Sequence, residues 1–149
     1  MKIVPKAIEE LFSKANISGS DINYFILPSV FPRVDQMIAK KCGINTENVV
    51  DNLALSTGDT GSAHSLLMFA SILEKANPGE KVLISSFGGG SDVILFEITD
   101  NIKNFKPEQT VESLLNSGVE ENNYIKYLLL MTLLSGRRVC EASRIVKRP

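Results

Sequence analysis

Residue types that build metal sites are scarce in this sequence of 149 residues. It contains no tryptophan, one histidine (His64) and two cysteines (Cys42 and Cys140), and the cysteines form no CxxC pair. A structural zinc site needs about four clustered cysteine or histidine ligands, so we expect no metal site. The sequence also shows no secretory signal and no apolar run of membrane-spanning length, which predicts a soluble protein of the reducing cytoplasm without a membrane partner.

An excess of charge of one sign is absent as well. Sixteen basic and seventeen acidic residues leave a formal net charge of -1. Nucleic acids are held largely by basic surfaces, so we expect no nucleic-acid partner. Hydrophobic residues make up 44% of the chain, which is enough to build a packed core.

The first part of the chain alternates helical and strand patterns. Apolar residues recur at helical spacing from Ile3 to Ala15, which predicts an amphipathic helix. A short apolar run, Tyr24 to Leu27, predicts a buried strand that Pro28 ends. Helical spacing returns between Phe31 and Cys42, and Gly43 after it suits a left-handed C-terminal cap.

A second strand, a central helix and a hairpin are predicted next. The pattern from Asn48 to Leu55 indicates a strand, and a small-residue loop then leads into a helix from Ser62 to Ala76. Because this helix is apolar on every face, we expect protein to cover it on all sides. Two further strands, Val82 to Ile84 and Val93 to Ile98, flank a glycine turn at Gly88–Gly90.

The order of these elements predicts an α/β fold with a mixed sheet of the βαβαββ type covered by helices. Crossovers through helices imply parallel strands, and the glycine turn implies an antiparallel hairpin. After Asp100 the character changes, because residues 101–107 are polar and a strongly apolar helix is expected from Asn122 to Gly136. We therefore expect an α/β unit at residues 1–100, and a linker with a C-terminal helical tail at residues 101–149.

Four short motifs carry a family resemblance. They are the first strand leading into Leu27-Pro28-Ser29, Ala39-Lys40-Lys41-Cys42-Gly43 with Asn48-Val49-Val50, Gly58-Asp59-Thr60-Gly61-Ser62-Ala63, and Pro78-Gly79 leading to Phe87-Gly88-Gly89-Gly90. Each is common alone. All four in register resemble the C-terminal half of a thiolase-fold condensing enzyme, of the ketoacyl-ACP synthase III and hydroxymethylglutaryl-CoA synthase type. Gly79-Glu80-Lys81-Val82 is more similar to the second branch.

The resemblance implies a chemistry and a set of positions. Such enzymes condense CoA or acyl-carrier-protein thioesters without a covalently bound cofactor, and a cysteine, a histidine and an asparagine carry the reaction. By this resemblance the histidine position falls on Pro28, which has no donor, and the asparagine position falls on Asp59, whose ionised carboxylate only accepts hydrogen bonds. The backbone N–H of Gly89 is the expected oxyanion-hole donor. The candidate catalytic residues are therefore Asp59 and Gly89.

No nucleophile can be assigned within the chain. The resemblance places the reactive cysteine in the N-terminal half of such enzymes, and neither Cys42 at a helix C-terminus nor Cys140 in the tail has that setting. We therefore expect this chain alone to be inactive. Its central helix would need cover from an N-terminal-half polypeptide or from a homo-oligomer with thiolase-type packing.

Structural roles compete with these assignments. Asp59 in a Gly-Asp-Thr-Gly loop is also typical of a turn or capping residue. His64 could pair with Asp59 as a substitute acid–base couple, but a packing or capping role is the favoured interpretation. The glycines at 88–90 lack the other features of a phosphate loop. A solvated basic end is the favoured interpretation of the last charged cluster, which comprises Arg137, Arg138, Arg144, Lys147 and Arg148.

Two functions stay open from the sequence. The first is a fragment or subunit of an acyltransferase of lipid biosynthesis, which condenses CoA or acyl-carrier-protein thioesters with a cysteine supplied by another sequence. The second is a non-catalytic thiolase-fold module that completes or docks a heteromeric condensing complex, with an accessory protein bound at the tail. Neither the composition nor the motifs indicate the acyl substrate.

Overall fold

The computed structural model of the protein describes residues 2–130. Contacts divide the chain into two units, one up to Ser117 and one from Gly118 onward. The expected tail helix beyond residue 130, Cys140 and the basic cluster from Arg137 lie outside the described residues. The elements of the first unit, in chain order, are α1 (Ile3–Ala15), β1 (Tyr24–Ile26), α2 (Val34–Lys41), α3 (Ala54–Thr57), α4 (His64–Leu73), β2 (Lys81–Phe87), β3 (Ser91–Glu97) and α5 (Val111–Asn116).

The sheet is mixed, as predicted, with the strand order β1–β2–β3. β1 pairs with β2 in parallel, and Ile26 lies opposite Ile84. β2 and β3 pair in antiparallel fashion along their whole lengths, from Lys81 opposite Glu97 to the glycine turn. The α/β class, the parallel crossover and the closing hairpin are thus confirmed.

The second strand expected from Asn48 to Leu55 is wrong, because only one isolated bridge forms there. Val49 bridges Phe25 in parallel, and the N–H of Val50 donates to the carbonyl of Phe25 at 2.9 Å. The chain leaves extended geometry at Leu53, whose φ is 54°, and continues into the short α3. A left-handed residue interrupts the strand alternation, so a ladder cannot continue past it.

Helices cover both faces of the sheet. Because side chains alternate along a strand, Phe25 and Leu83 pack with α1 and α2, whereas Ile26 and Ile84 pack with α4. Burial of each large aliphatic side chain contributes about 1.5–3 kcal/mol, so these two clusters hold the layers together. The helical members of the clusters are Val4 and Ile8 from α1, Ile38 and Ala39 from α2, and Met68 and Ile72 from α4.

The first two helices follow the predicted pattern with one difference. α1 occupies the predicted range and ends at Asn16, which is left-handed with a φ of 52°. α2 begins at Val34, later than predicted, because Arg33 before it has a φ of 65° and breaks the helical geometry. Gly43 has a φ of 72°, so the expected left-handed residue after this helix is confirmed.

The central helix is shorter than expected and is covered on one side. Residues Gly61–Ala63 form a 3-10 turn, and α4 proper begins at His64. Met68 and Ile72 are buried against the sheet, whereas Leu66 is 64% exposed. The other residues within 2–130 therefore do not cover α4 on all sides.

The segment after β3 contains more regular structure than a linker. Asp100–Asn104 is a 3-10 helix, and α5 packs against α4. The N–H of Val111 donates to the carboxylate of Glu74, and the hydroxyl of Thr110 caps α5. The domain boundary expected at residue 100 stays a prediction.

The second unit contains one helix in its described part. This helix, α6 (Tyr124–Leu130), lies inside the range expected for the tail helix. The side-chain oxygen of Asn123 accepts from the N–H of Ile125 at 3.0 Å, which caps its first turn. No helix within residues 2–130 is long and apolar enough to cross a membrane.

Candidate functional site

The C-terminal ends of β1 and β2 lie at one edge of the sheet because these strands are parallel. β1 leads into Pro28 and Ser29 at this edge, and β2 continues through Phe87 to the glycine turn. The loop from Asn52 to Thr60 joins the same edge through hydrogen bonds. The loop with Asp59 and the turn with Gly89 thus both lie toward this end of the sheet, and no hydrogen bond within residues 2–130 joins them.

A buried histidine connects the loops. His64, the first residue of α4, is only 4% exposed. Its Nε2 lies 2.6 Å from the carbonyl oxygen of Asn52 and 2.8 Å from Asn52 Oδ1, while its Nδ1 lies 3.0 Å from Thr60 Oγ1 and 3.4 Å from the Thr60 nitrogen. Asn52 Nδ2 in turn donates to the carbonyl of Ser29 at 2.6 Å. We call these four residues, Ser29, Asn52, Thr60 and His64, the polar network.

The partners of His64 define where its ring carries a proton. The backbone N–H of Thr60 can only donate, so Nδ1 is the acceptor. Both oxygens of Asn52 near Nε2 are acceptors, so Nε2 carries the hydrogen. Both ring nitrogens are thereby engaged. The structural interpretation of His64 is confirmed, and a pairing with Asp59 does not form.

Asp59 acts as a turn residue in its loop. Its Oδ1 accepts a hydrogen bond from the N–H of Gly61 at 2.8 Å, and the residue is exposed. Gly58 and Gly61 on either side have φ values of 68° and 63°, which glycine adopts without the steric cost that a side chain would bring. The Gly-Asp-Thr-Gly pattern is thus explained by loop geometry. A catalytic role of Asp59 stays a prediction.

The turn after β1 offers no side-chain donor in place of the histidine that the family resemblance assigns to Pro28. Pro28 has neither an N–H nor a side-chain donor. The hydroxyl of Ser29 is bound to Phe31, whose N–H donates to Oγ at 3.1 Å and whose carbonyl lies 3.1 Å from the same oxygen. This hydroxyl therefore stabilises the local turn between Ser29 and Phe31.

The glycine turn presents an open backbone at the site edge. The N–H of Gly88 donates to the carbonyl of Gly90 at 2.9 Å. The N–H of Gly89 has no acceptor in the part of the chain that the structure describes, and the residue is exposed. An N–H in this state is free to donate to a developing negative charge. The assignment of Gly89 to an oxyanion hole stays a prediction.

Two serine hydroxyls next to this turn were not singled out from the sequence. Ser85 is fully buried, and the Oγ atoms of Ser85 and Ser91 have no hydrogen-bond partner among residues 2–130. Ser91 pairs with Phe87 and Ser85 pairs with Val93, so the two serines lie diagonally across the hairpin on one face. No local pattern in the sequence marks either hydroxyl or the partners of His64, because all of these relations depend on tertiary packing.

This chain is similar to proteins of a known family. A family model described as 3-oxoacyl-[acyl-carrier-protein] synthase III C terminal matches residues 12–94, which is more than half of the chain. The chain belongs to this family. The matched range runs from α1 to β3, so it includes every predicted site residue, and the family resemblance of the four motifs is confirmed.

Two kinds of enzyme are found among the curated relatives of this synthase III C-terminal domain. The hydroxymethylglutaryl-CoA synthase of Aeropyrum pernix is 32% identical over 121 residues, which cover 78% of this chain and 34% of the relative. The corresponding enzyme of Methanopyrus kandleri is 27% identical over 129 residues, which cover 85% of this chain and 36% of the relative. Beta-ketoacyl-[acyl-carrier-protein] synthase III of Streptococcus uberis is 29% identical over 91 residues, with 58% and 28% covered. The chain therefore spans about a third of the length of these relatives.

Solved structures show the same fold. The 3-oxoacyl-(acyl carrier protein) synthase III of Pseudomonas aeruginosa aligns with a TM-score of 0.58 at 18% identity, over 66% of this chain and 31% of that one. Peroxisomal 3-ketoacyl-CoA thiolase of Saccharomyces cerevisiae aligns with a TM-score of 0.50 at 18% identity, over 62% of this chain and 28% of the thiolase chain. That thiolase is described as five layers built from two core domains of identical topology. The thiolase-type α/β fold of the synthase III C-terminal domain is thus confirmed.

Proposed function

We propose that this chain supplies the C-terminal half of an acyltransferase that condenses CoA or acyl-carrier-protein thioesters. The observation that carries the proposal is the N–H of exposed Gly89, which has no acceptor within residues 2–130 and lies just beyond the end of β2. A backbone donor needs no particular side chain, so the loss of the histidine at Pro28 leaves it intact. The nucleophilic cysteine would come from another sequence, and no covalently bound cofactor takes part.

Each remaining site group has a limited role in this reaction. Gly89 would donate to the thioester oxygen as negative charge develops, and one such donor contributes on the order of 100-fold in rate. Asp59 could donate only if a closed, dry site kept its carboxyl protonated. It is exposed in the isolated chain, so a covering partner is part of the proposal.

Exposed apolar side chains surround this edge of the sheet. Val30 and Phe31 follow β1, Phe87 ends β2, and Leu66 lies in the first turns of α4. Large exposed apolar patches mark interaction surfaces. We assign this surface to an N-terminal-half polypeptide that contains a reactive cysteine. A second copy is the weaker occupant, because Cys42 is half-buried and burial raises the pKa of its thiol.

The test is purification of the complex that the chain forms, followed by incubation with a radiolabelled acyl-CoA. We expect a copurifying polypeptide that becomes acylated on a cysteine and a complex that forms the condensed product. Leu66→Lys should abolish the association. Ile3→Lys is the matched control, because Ile3 is equally apolar and is 57% exposed on α1. A soluble monomer that binds neither a partner nor an apolar dye would contradict the proposal.

A substitution at Gly89 tests the chemical part separately. Gly89→Pro removes the N–H and should lower kcat of the complex by about 100-fold. Gly89→Ala keeps the N–H, and a Cβ there would meet nothing within 4 Å, so it should retain most of the turnover. Equal turnover in the two variants, with thermal unfolding unchanged, would exclude this donor.

A second candidate function is a non-catalytic module that completes a heteromeric condensing complex. It is favoured by Pro28, which has no donor, and by Asp59, whose carboxylate is engaged by the N–H of Gly61. In this role the chain would shape an acyl pocket or dock an accessory protein through its tail. The complex would then turn over at the same rate with glycine or proline at position 89.

A further inference from the structure

We propose that His64 is a positioning residue that clamps the loop from Asn52 to Thr60 onto the turn after β1. This inference deepens the proposed function and rests on it, since the clamped loop carries Asp59. The observation is the polar network, in which one imidazole contacts both ends of the loop at 2.6–3.4 Å.

The base of the clamp is fixed by the core. His64 is the first residue of α4, and Met68, one turn later, is fully buried against the sheet. A helix anchored in this way holds its first residue in one place. The imidazole itself is almost completely buried, and both of its nitrogens are bound to residues of the same chain, so its contacts are those of a positioning residue.

The loop depends on the polar network for its attachment. Its other hydrogen bonds are internal, such as those from the N–H groups of Ser56 and Thr57 to Leu53. Within residues 2–130, hydrogen bonds from this loop to the rest of the chain come from Asn52 and Thr60, apart from the local contact between Asp59 and Gly61. Leu53 is left-handed, so local backbone preference does not favour this path. Removal of one half of the clamp should therefore release the end of the loop that this half holds.

Two amide side chains separate the two halves of the clamp. Glutamine at position 64 places an amide N–H near the position of Nε2, so His64→Gln keeps a donor for Asn52 and loses the acceptor for Thr60. Asparagine places an amide oxygen near the position of Nδ1, so His64→Asn keeps an acceptor for Thr60 and loses the donor for Asn52. Each variant thus loses the contact that the other keeps, whereas any general effect of removing the ring is the same in both.

The first measurement is hydrogen exchange and ¹⁵N NMR of the full chain. The imidazole signals should show a hydrogen on Nε2 and none on Nδ1. The amide of Thr60 should exchange about fivefold faster or more in His64→Gln than in wild type, whereas His64→Asn should stay close to wild type. Equal exchange of this amide in wild type and His64→Gln, or a hydrogen on Nδ1, would overturn the proposal.

The second measurement is turnover of the reconstituted complex. His64→Gln should lower kcat with KM unchanged. His64→Asn has already lost the contact with Asn52, so adding Asn52→Ala to it should lower kcat little further, because these two residues act as one unit. Ile8→Ala is the control, since Ile8 is fully buried on α1 and belongs to the core cluster on the other face of the sheet; at temperatures where it is folded it should keep kcat. A loss of turnover that merely follows the unfolded fraction, as in Ile8→Ala, would overturn the positioning role. If wild type shows no condensation, the proposed function fails, and hydrogen exchange still decides the clamp.

Discussion

Gly19 lies directly against the backbone of Gly43, so closely that a Cβ at position 19 would be 2.5 Å from the Gly43 carbonyl carbon. The carbonyl oxygen of Cys42 would be equally close. These neighbours are backbone atoms, which cannot turn aside as a flexible side chain can. The contact joins the turn after α1 to the turn after α2.

We expect Gly19→Ala to destabilise the fold by about 1–3 kcal/mol, because the backbones must separate to admit a methyl group. Urea denaturation monitored by circular dichroism measures this change. Gly88→Ala is the matched control, since a Cβ there meets nothing within 4 Å and the position does not need a positive φ. An equal stability loss in both variants would show that the close approach of Gly19 to Gly43 does not cause the destabilisation.

The two buried serines at positions 85 and 71 should respond in opposite directions to alanine. Ser85 has no partner for its hydroxyl within residues 2–130, so Ser85→Ala should raise stability by about 1 kcal/mol. The hydroxyl of Ser71 donates to the carbonyl of Met68 at 2.7 Å, so Ser71→Ala should bring no gain or a loss of up to about 1 kcal/mol. Thermal unfolding checks both. A destabilised Ser85→Ala would mean that this hydroxyl is bound in solution.

The thiol of Cys42 should be unreactive at mild alkaline pH. Burial raises the pKa of Cys42, the carboxylate of Glu9 raises it further, and Lys41 opposes the shift. In a Cys140→Ser background, labelling by iodoacetamide at pH 8 should be slower in the folded chain than in the urea-unfolded chain. Glu9→Gln should speed labelling, and Lys41→Gln should slow it. The same rate in folded and unfolded protein would contradict the shift.

The same pKa has a consequence for stability. A raised folded-state pKa means that the folded protein favours the neutral thiol, so this contribution is complete below the pKa of the unfolded chain. It is lost as the pH rises through the folded-state value. Cys42→Ser should therefore weaken the alkaline decrease in stability above about pH 9, which a urea titration at several pH values can follow.

Substitution of Asp59 separates the two candidate functions. In the reconstituted complex, Asp59→Asn should raise condensation if the position is catalytic, because it restores a side-chain donor. Asp59→Ala should then abolish it. The rate of product formation is the measurement, with Thr60 exchange as a check on the loop. Unchanged turnover in both variants favours the non-catalytic module.

The sequence predicted the elements whose pattern is local. The helix at Ile3–Ala15 was predicted at its observed bounds because its apolar stripe needs no distant information. The glycine turn between β2 and β3 was likewise clear from turn chemistry. The order of helices, strands and the glycine turn then implied the parallel crossover and the antiparallel hairpin, which periodicity alone does not define.

The sequence-based predictions were wrong or incomplete where tertiary contacts determine the local structure. Val49, Val50, Leu53 and Leu55 form a pattern typical of a strand, but the left-handed Leu53 and the hydrogen bonds of Asn52 bend the chain into a loop. His64 was correctly expected to be structural, yet its partner Asn52 lies in a different segment and no spacing rule connects them. α5 was missed because six residues carry too little periodicity.

The parallel pairing of β1 with β2 determines how the chain can fold during synthesis. Ile26 finds its strand partner only at Ile84, so the ribosome must release most of the first unit before the sheet can close. Until then β1 lacks its strand partner, and the apolar sides of α1 and α2 have no complete sheet to pack against. Nascent chains that end before Ile84 should therefore bind chaperones that recognise exposed apolar segments.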